Sequence, residues 1–397
     1  MRRRSGFSMM EKDPTGEGND LRHAIKSFNI GFVSDPGSIG KADFVIICVP
    51  TPIKEGEKPD LSFIESAGAT VGNNLKKGSV VVLESTVYPG VTEDVLGRAI
   101  MEKSGMECPQ DFSLGYSPER INPGDKEHTL ERIVKVVGGI DDRTASILSR
   151  LYGNITKAGT FKARDIKTAE AAKVIENIQR DLNIALVNEF SLIFKRLGIN
   201  VHDVLAAAQT KWNFHRYSPG LVGGHCIGID PYYLVHAARK SGYEPRVILS
   251  GREINNSMSG HVAGLATQAL ERMKKKPGES KVLLLGLSFK KNVNDIRNSP
   301  SRDVIAALKE RGVQVICHDP LIESKTIESR FGSKATESIE GLTGIDCIIL
   351  MTGHDAFRKI GMETLKAISS NDPVLIDVRA FFDPDKCREA GFYYEGL

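Results

Sequence analysis

No run of 18 uninterrupted apolar residues occurs in this 397-residue chain, so no membrane span is expected. Met1-Arg-Arg-Arg4 carries the positive charge of a signal peptide's start, but no apolar stretch follows it. Cysteine is sparse and scattered. Cys48, Cys108, Cys226, Cys317, Cys347 and Cys387 include no CxxC pair, so nothing reads as a zinc site or a disulfide framework, and no metal is expected. That usage suits a reducing, cytoplasmic setting. Excess charge of one sign is missing too: 53 Lys and Arg stand against 50 Asp and Glu, and a net +3 is too small to argue for nucleic acid or a membrane surface as partner. Internal repeats and low-complexity tracts are absent. What remains, 41% apolar and 26% charged residues over this length, is the composition of a globular protein of two or three domains.

Residues 1–22 are polar and without helical or strand periodicity, and Asp13-Pro-Thr-Gly-Glu17 reads as a turn. From Asp43 strands and helices alternate. Phe44–Val49 is a continuous apolar run, as expected of a strand covered on both faces, and Pro50-Thr51-Pro52 ends it. Ser79–Leu83 and Asp111–Tyr116 follow, ending in Glu84-Ser-Thr86 and Ser117-Pro-Glu119; Val134–Val137 closes the set, with Asp141-Asp142 able to cap the next helix. Polar residues therefore gather beyond the C-terminal ends of successive strands, the edge where open parallel sheets bind ligands.

A helical middle comes next. Thr168–Leu197 lacks Pro and Gly until Gly198, and Ala172, Ile175, Leu182, Leu186, Phe190 and Ile193 form its apolar stripe. Lys173 and Asn177, at i and i+4, project from one face. The same helix could supply a dimer interface. Lys274-Lys-Lys-Pro-Gly278 marks a domain boundary, Ser280-Lys-Val-Leu-Leu-Leu-Gly286 opens a second α/β series, and Val313–Cys317, Asp346–Met351 and Val374–Asp377 read as its further strands. Ser299-Pro300 can start a helix there and Gly312 can stop it. The expected architecture is α/β: two Rossmann-like parallel-sheet domains, over 1–160 and 273–397, joined by a helical region over 161–272.

One stretch concentrates chemistry. Pro219-Gly-Leu-Val-Gly-Gly-His-Cys226-Ile-Gly-Ile-Asp230-Pro-Tyr-Tyr surrounds a cysteine with glycines, a histidine and an aspartate. Core cysteines sit in apolar runs, whereas a thiol on a glycine loop is accessible and its thiolate can be held by backbone N–H groups. Gly223 and Gly224 would let the backbone approach a bound group closely or take positive φ.

This stretch resembles the active-site loop of the UDP-glucose/GDP-mannose dehydrogenase family, and the resemblance runs from about Asp13 to the C-terminus. Thr210-Lys-Trp212-Asn-Phe214 is similar to the branch that oxidises UDP-N-acetylhexosamines at C6, with gluco or galacto favoured over manno. The resemblance implies oxidation of a primary alcohol to a carboxylate with NAD as cofactor, in a homodimer, for surface polysaccharide synthesis. Cys226 then resembles the nucleophile that traps the aldehyde, and Asp230 the aspartate that modulates it. Lys173 and Asn177 match the pair on the C6 oxygen, Thr86 a water-ordering threonine, and Glu119 a general base. Pro50-Thr51-Pro52 and Thr86 match the cofactor's loops. Gly223, Gly224, Lys290 and Arg379 match contacts to the UDP-sugar, and Arg252 an arginine reaching across a dimer.

Two departures stand out. The family opens with a strand, Gly-x-Gly-x-x-Gly and a helix, yet that pattern occurs nowhere here, and Gly16-Glu-Gly18-Asn-Asp-Leu21 fails at its last position. The first domain is therefore expected to lack its dinucleotide-binding unit, through a wrong start site or a truncation, which leaves open an inactive paralogue that binds nucleotide sugar or dimerises. A two-electron dehydrogenase on the same architecture would give Cys226 no purpose. Pro123 also stands where the UDP-glucose branch has a second glutamate, which sits better with an N-acetylhexosamine.

Overall fold

The computed structural model describes residues 31–397 except Glu55, Pro123, Gly124, Lys126 and His225, so the Asp13–Glu17 turn and the Gly16–Leu21 stretch lie outside it. The chain divides into two compact units, one ending at Val174 and the other running from Ile175 to Leu397. Among the described residues no helix is long and apolar enough to cross a membrane.

The first unit carries β1 (Phe44–Ile47), a hairpin of β2 (Ile53–Lys54) and β3 (Lys58–Pro59), β4 (Val80–Leu83), β5 (Ser113–Tyr116), β6 (Lys135–Gly139) and β7 (Thr160–Lys162). Its sheet has the order β1-β4-β5-β6-β7. The β1–β4, β4–β5 and β6–β7 pairs are parallel, and β5–β6 is antiparallel. The expected all-parallel sheet is corrected there. A parallel pair needs a crossover, usually a helix, and no helix is found among the described residues between Tyr116 and Lys135. A second correction concerns Phe44–Val49. Phe44 and Ile46 are exposed, so this strand is not covered on both faces by the described residues.

Val80, Val82 and Val137 pack with Leu148 and Tyr152 of the helix Asp142–Gly153. Asp141 caps that helix as its spacing predicts, accepting the Thr144 N–H at 2.7 Å. The strand leading into it must be glycine at its end, because a Cβ on Gly139 would lie 2.3 Å from the Ala145 nitrogen.

The helix Ile166–Arg196 covers the predicted Thr168–Leu197 within two residues at each end, but its covered side is not the predicted apolar stripe alone. Ile175, Leu186 and Ile193 of the expected apolar stripe are exposed, whereas Glu170, Lys173, Asn177, Asp181, Asn188 and Ser191 are buried. An apolar stripe at helical spacing marks a face that wants covering; here the face covered within the chain mixes those polar groups with the buried Val174, Ile178, Ala185 and Val187. Glu170 shows what holds such a group. Its carboxylate accepts the Gly90 N–H (2.5 Å), the Thr92 N–H (2.9 Å) and the Thr92 hydroxyl (2.6 Å). Burial pushes its carboxyl up from 4.5 to about 7, against the pull of those donors. A carboxyl raised in the folded state contributes stability that is fully present below its unfolded value and is lost as pH rises towards about 7. Urea unfolding of Glu170→Gln across this range should therefore lose less stability per pH unit than the parent, by up to about 1.4 kcal/mol. Equal slopes would show Glu170 ionised throughout.

The second unit continues with helices Val201–Ala208, Asp230–Lys240 and Arg246–Arg272, then β8 (Lys281–Leu285), β9 (Gln314–His318), β10 (Lys334–Ala335), β11 (Ile345–Leu350), β12 (Ser369–Asp377) and β13 (Tyr393–Gly396). Their order is β10-β9-β8-β11-β12-β13 and every pair is parallel. Val282 and Leu284 pack on one face with Leu265 and Ala266, while Leu283 and Leu285 pack on the other with Phe357 and Leu365. Burial on both faces explains why these strands read as continuous apolar runs; each such leucine contributes about 1.5–3 kcal/mol.

Candidate active site

The cysteine loop is built from the glycines outwards. Gly220 is bracketed by Asn188, whose Oδ1 accepts the Gly220 N–H at 2.8 Å and whose Nδ2 donates to the Gly220 carbonyl at 3.0 Å. A Cβ on Gly220 would meet Arg379 Nη1 at 2.4 Å, one on Gly223 would meet Pro300 at 2.5 Å, and one on Gly224 would meet the Phe289 ring at 2.9 Å. The space over Gly223 and Gly224, expected to admit a bound group, is occupied here by protein. Cys226 is exposed. Its carbonyl accepts the N–H groups of Ile229 (3.1 Å) and Asp230 (2.9 Å), so it sits on the turn that opens the helix Asp230–Lys240. Asp230 is buried in that helix's first turn, where a negative charge is favoured, and accepts a hydrogen bond from Asn177 Nδ2 at 2.5 Å.

Beneath this loop lies a buried polar network that the sequence reading did not assemble. Asn188 Nδ2 also donates to Asn255 Oδ1 (2.9 Å), and Asn255 Nδ2 donates to Asp181 Oδ1 (2.7 Å). Arg252 Nη1 pairs with the same Asp181 oxygen at 2.7 Å. Burial pushes the Asp181 carboxyl up, and the Arg252 charge pulls it back. Arg252 also bonds Asn256 and lies over the Tyr232 ring. Both its Nη atoms would be 3.8 Å from a Cβ on Gly228. Expected to reach into a neighbouring subunit, this guanidinium is turned inward under its own cysteine loop. The signal available in the sequence was the i, i+3 and i+4 spacing of Arg252, Asn255 and Asn256 within one helix.

Lys290 stands on the loop that follows β8. Asp319 Oδ2 accepts the Leu287 N–H (2.7 Å), the Ser288 N–H (3.0 Å) and the Ser288 hydroxyl (3.0 Å), while His354 Nδ1 accepts the Asn292 N–H at 2.9 Å. His354 Nε2 then carries the proton, facing Ser288 Oγ at 2.8 Å and Asp319 Oδ2 at 3.2 Å. These three buried groups lock the base of the loop. Arg379 leaves the end of β12, its Nε donating to the Met351 carbonyl (3.1 Å) and its Nη2 to that of Leu221 (3.3 Å).

In the first unit, Ile47 and Leu83 are register partners, so Pro50-Thr51-Pro52 and Ser85-Thr86 leave neighbouring parallel strands at one edge. Ser85 Oγ donates to the Val49 carbonyl at 2.7 Å and ties the two exits together. That edge of paired parallel strands, with half-exposed threonines, fits a dinucleotide. Glu119 follows β5; its Oε1 accepts the Arg120 and Ile121 N–H groups, each at 2.6 Å. It is no isolated surface carboxylate, because Lys135 Nζ lies 3.9 Å from its Oε2 and 3.5 Å from Glu84 Oε1. Glu84 in turn accepts the Tyr152 hydroxyl at 2.5 Å, and burial pushes that phenol far up. The sequence carried a signal for this cluster in a lysine inside the apolar run Val134–Val137. Lys173 and Asn177 are each only 8% exposed, so they are not the solvated pair that their types alone suggest. No group of three or more His, Cys, Asp and Glu able to hold a metal occurs among the described residues.

Models of the UDP-glucose/GDP-mannose dehydrogenase family match residues 7–156 (NAD binding domain), 167–257 (central domain) and 283–384 (UDP binding domain). The UDP-N-acetyl-D-glucosamine 6-dehydrogenase of Pseudomonas aeruginosa is 43% identical over 367 residues, 92% of this chain and 87% of that protein. The enzyme of that name from Salmonella typhi is 44% identical over 348 residues, 88% and 82% of the two chains. A solved structure of UDP-D-ManNAc dehydrogenase from Pyrococcus horikoshii superposes with a TM-score of 0.88 at 30% identity, covering 97% of this chain and 88% of that one. The match over 7–156 overturns the expectation that the dinucleotide-binding unit is missing: the NAD binding domain is present. A three-glycine pattern tests a single turn, and its failure at Leu21 carries no information about the strands and helices around it.

Proposed function

This chain belongs to the UDP-glucose/GDP-mannose dehydrogenase family, and from that premise we propose that it oxidises a UDP-N-acetylhexosamine at C6 to the uronic acid. The sugar is the gluco or galacto epimer. The observation that carries the reading is Cys226, exposed at the mouth of a helix whose first aspartate is held by Asn177. The two relatives at 43% and 44% identity support the N-acetylglucosamine derivative as first substrate to try. The binding-only alternative rested on the missing glycine loop and loses its motivation with it.

NAD, the family's cofactor, supplies the hydride acceptor when bound, against Pro50-Thr51-Pro52 and Thr86. Lys173 and Asn177 hold the C6 oxygen, and the lysine charge stabilises it as it becomes anionic. Cys226 Sγ adds to the aldehyde carbon to give a thiohemiacetal, whose oxidation leaves a thioester. Glu119 takes a proton from a water ordered by Thr86; that water attacks the thioester carbonyl and expels the Cys226 thiolate. Asp230 keeps the thiol placed. Lys290 and Arg379 serve the UDP group, with Gly223 and Gly224 shaping the floor, and Arg252 supports the loop from below. The domains run 1–160 for cofactor, 161–272 for catalysis and pairing, and 273–397 for UDP-sugar. The exposed Ile175, Leu186 and Ile193 support a homodimer through the long helix.

The test is stoichiometry. Purified chain with NAD and UDP-N-acetylglucosamine should give two NADH per sugar consumed, with UDP-glucose a much poorer substrate. One NADH per sugar would remove the four-electron reaction.

A further inference from the structure

The loop between β8 and the helix Ser301–Glu310 packs against the cysteine loop, and one of its contacting residues has an unusual conformation. Asn298 has φ of +49°, in the left-handed region that few residues other than glycine and asparagine adopt. In that conformation its carbonyl accepts the Gly224 N–H at 3.2 Å, and its Nδ2 reaches the Gly224 carbonyl at 3.4 Å. Gly224 itself has φ of +88°, and a Cβ on Gly223 would lie 3.0 Å from the Asn298 carbonyl oxygen. Phe289 and Pro300, on the same segment as Asn298, close the remaining sides. The segment is itself rigid. Asp295 accepts the Arg297 N–H at 2.9 Å and holds its guanidinium through Nε and Nη2. The Phe289 N–H donates to the Asp295 carbonyl at 3.0 Å, and Ser299 Oγ to that of Leu287 at 2.6 Å. The Asp295 hydrogen bond raises the Arg297 guanidinium above its usual range, and Cys226 lies close enough to add to that shift.

We propose that Asn298 is a positioning residue for Cys226: its left-handed backbone and side-chain amide grip Gly224 from both polar sides and so fix where the thiol two residues on is presented. This rests on the reading of Cys226 as nucleophile. The grip comes from the segment that also bears Lys290, so the residues proposed to bind nucleotide and the thiol that reacts share one rigid support. A nucleophile displaced by about 1 Å loses on the order of 10² in rate, and a loop of closely spaced glycines has little stiffness of its own. The support therefore has to come from outside that loop.

The test uses the full chain. Asn298→Ala removes the amide and strains the left-handed backbone; Asn298→Gly removes the amide but keeps that backbone. Labelling of Cys226 by iodoacetamide, followed on its own peptide by mass spectrometry, reports placement without turnover. In Asn298→Ala, labelling and kcat should fall together, by roughly tenfold or more, with KM for the UDP-sugar little changed. Asn298→Gly should recover a large part of both. A wild-type labelling rate in Asn298→Ala would overturn the proposal. Should labelling fall while kcat stays at the parental value, the placement role would stand and the nucleophile reading of Cys226 would be the part that fails.

Discussion

Cys226→Ser should lose complete oxidation, with uronic acid formation down by roughly 10³-fold or more, given that taking a nucleophile from groups that act as a unit can cost on the order of 10⁶. A serine hydroxyl at neutral pH has neither the thiolate's ionised fraction nor its nucleophilicity, so the aldehyde would not be held for its second oxidation. The variant should still bind UDP-sugar. In the parent chain, iodoacetamide should label Cys226 and UDP-N-acetylglucosamine should protect it. Cys48 is also exposed, but burial of its sulfur and the neighbouring Glu84 push its thiol up to about 11, so it stays protonated at neutral pH and reacts slowly. Uronic acid made at the parental rate by Cys226→Ser would show that this thiol is not the nucleophile.

The four central strands of the second sheet, β9, β8, β11 and β12, were legible because both their faces are buried, which leaves a continuous apolar run with no competing pattern. The edge strands β10 and β13, only partly buried, were missed. The three-residue β7 was missed, since Thr160-Phe-Lys162 is too short to show a period and its side chains are mostly exposed. The long helix was legible in extent, but the polar residues it buries were not. Periodicity reports that two faces differ; which of them is covered depends on partners, and here Asn255 bridges Asn188 to Asp181 Oδ1 inside the chain. Gly223 and Gly224 were legible as necessary glycines, and the positive φ holds for Gly224, but the close packing around them, and around Gly220, was not foreseen. Open space for a ligand and close contact with Arg379, Pro300 and Phe289 demand the same missing Cβ. The cluster of Glu84, Lys135, Tyr152 and Glu119 joins residues up to 68 positions apart, and no local spacing announces it.

Lys173→Ala is the second large effect, expected as a loss of roughly 10² in turnover, the order for removing one donor aimed at a developing oxyanion. The side chain is 8% exposed, and a lysine is rarely buried unless something uses or balances its charge. On the proposed reading the balancing charge arrives late, when the substrate's C6 oxygen becomes anionic, so the interaction is stronger in the transition state than in the ground state. Alanine should then lower kcat and kcat/KM together, while the Kd for UDP-sugar measured by calorimetry stays within a few-fold of the parent. Asn177, one turn along the same helix, gives the internal contrast. Its amide is spent on Asp230, so Asn177→Ala should affect the placement of that carboxylate as well as the substrate oxygen. If Lys173→Ala weakened only binding and left kcat intact, the lysine would be an ordinary cation for the substrate and its part in the chemistry would be wrong.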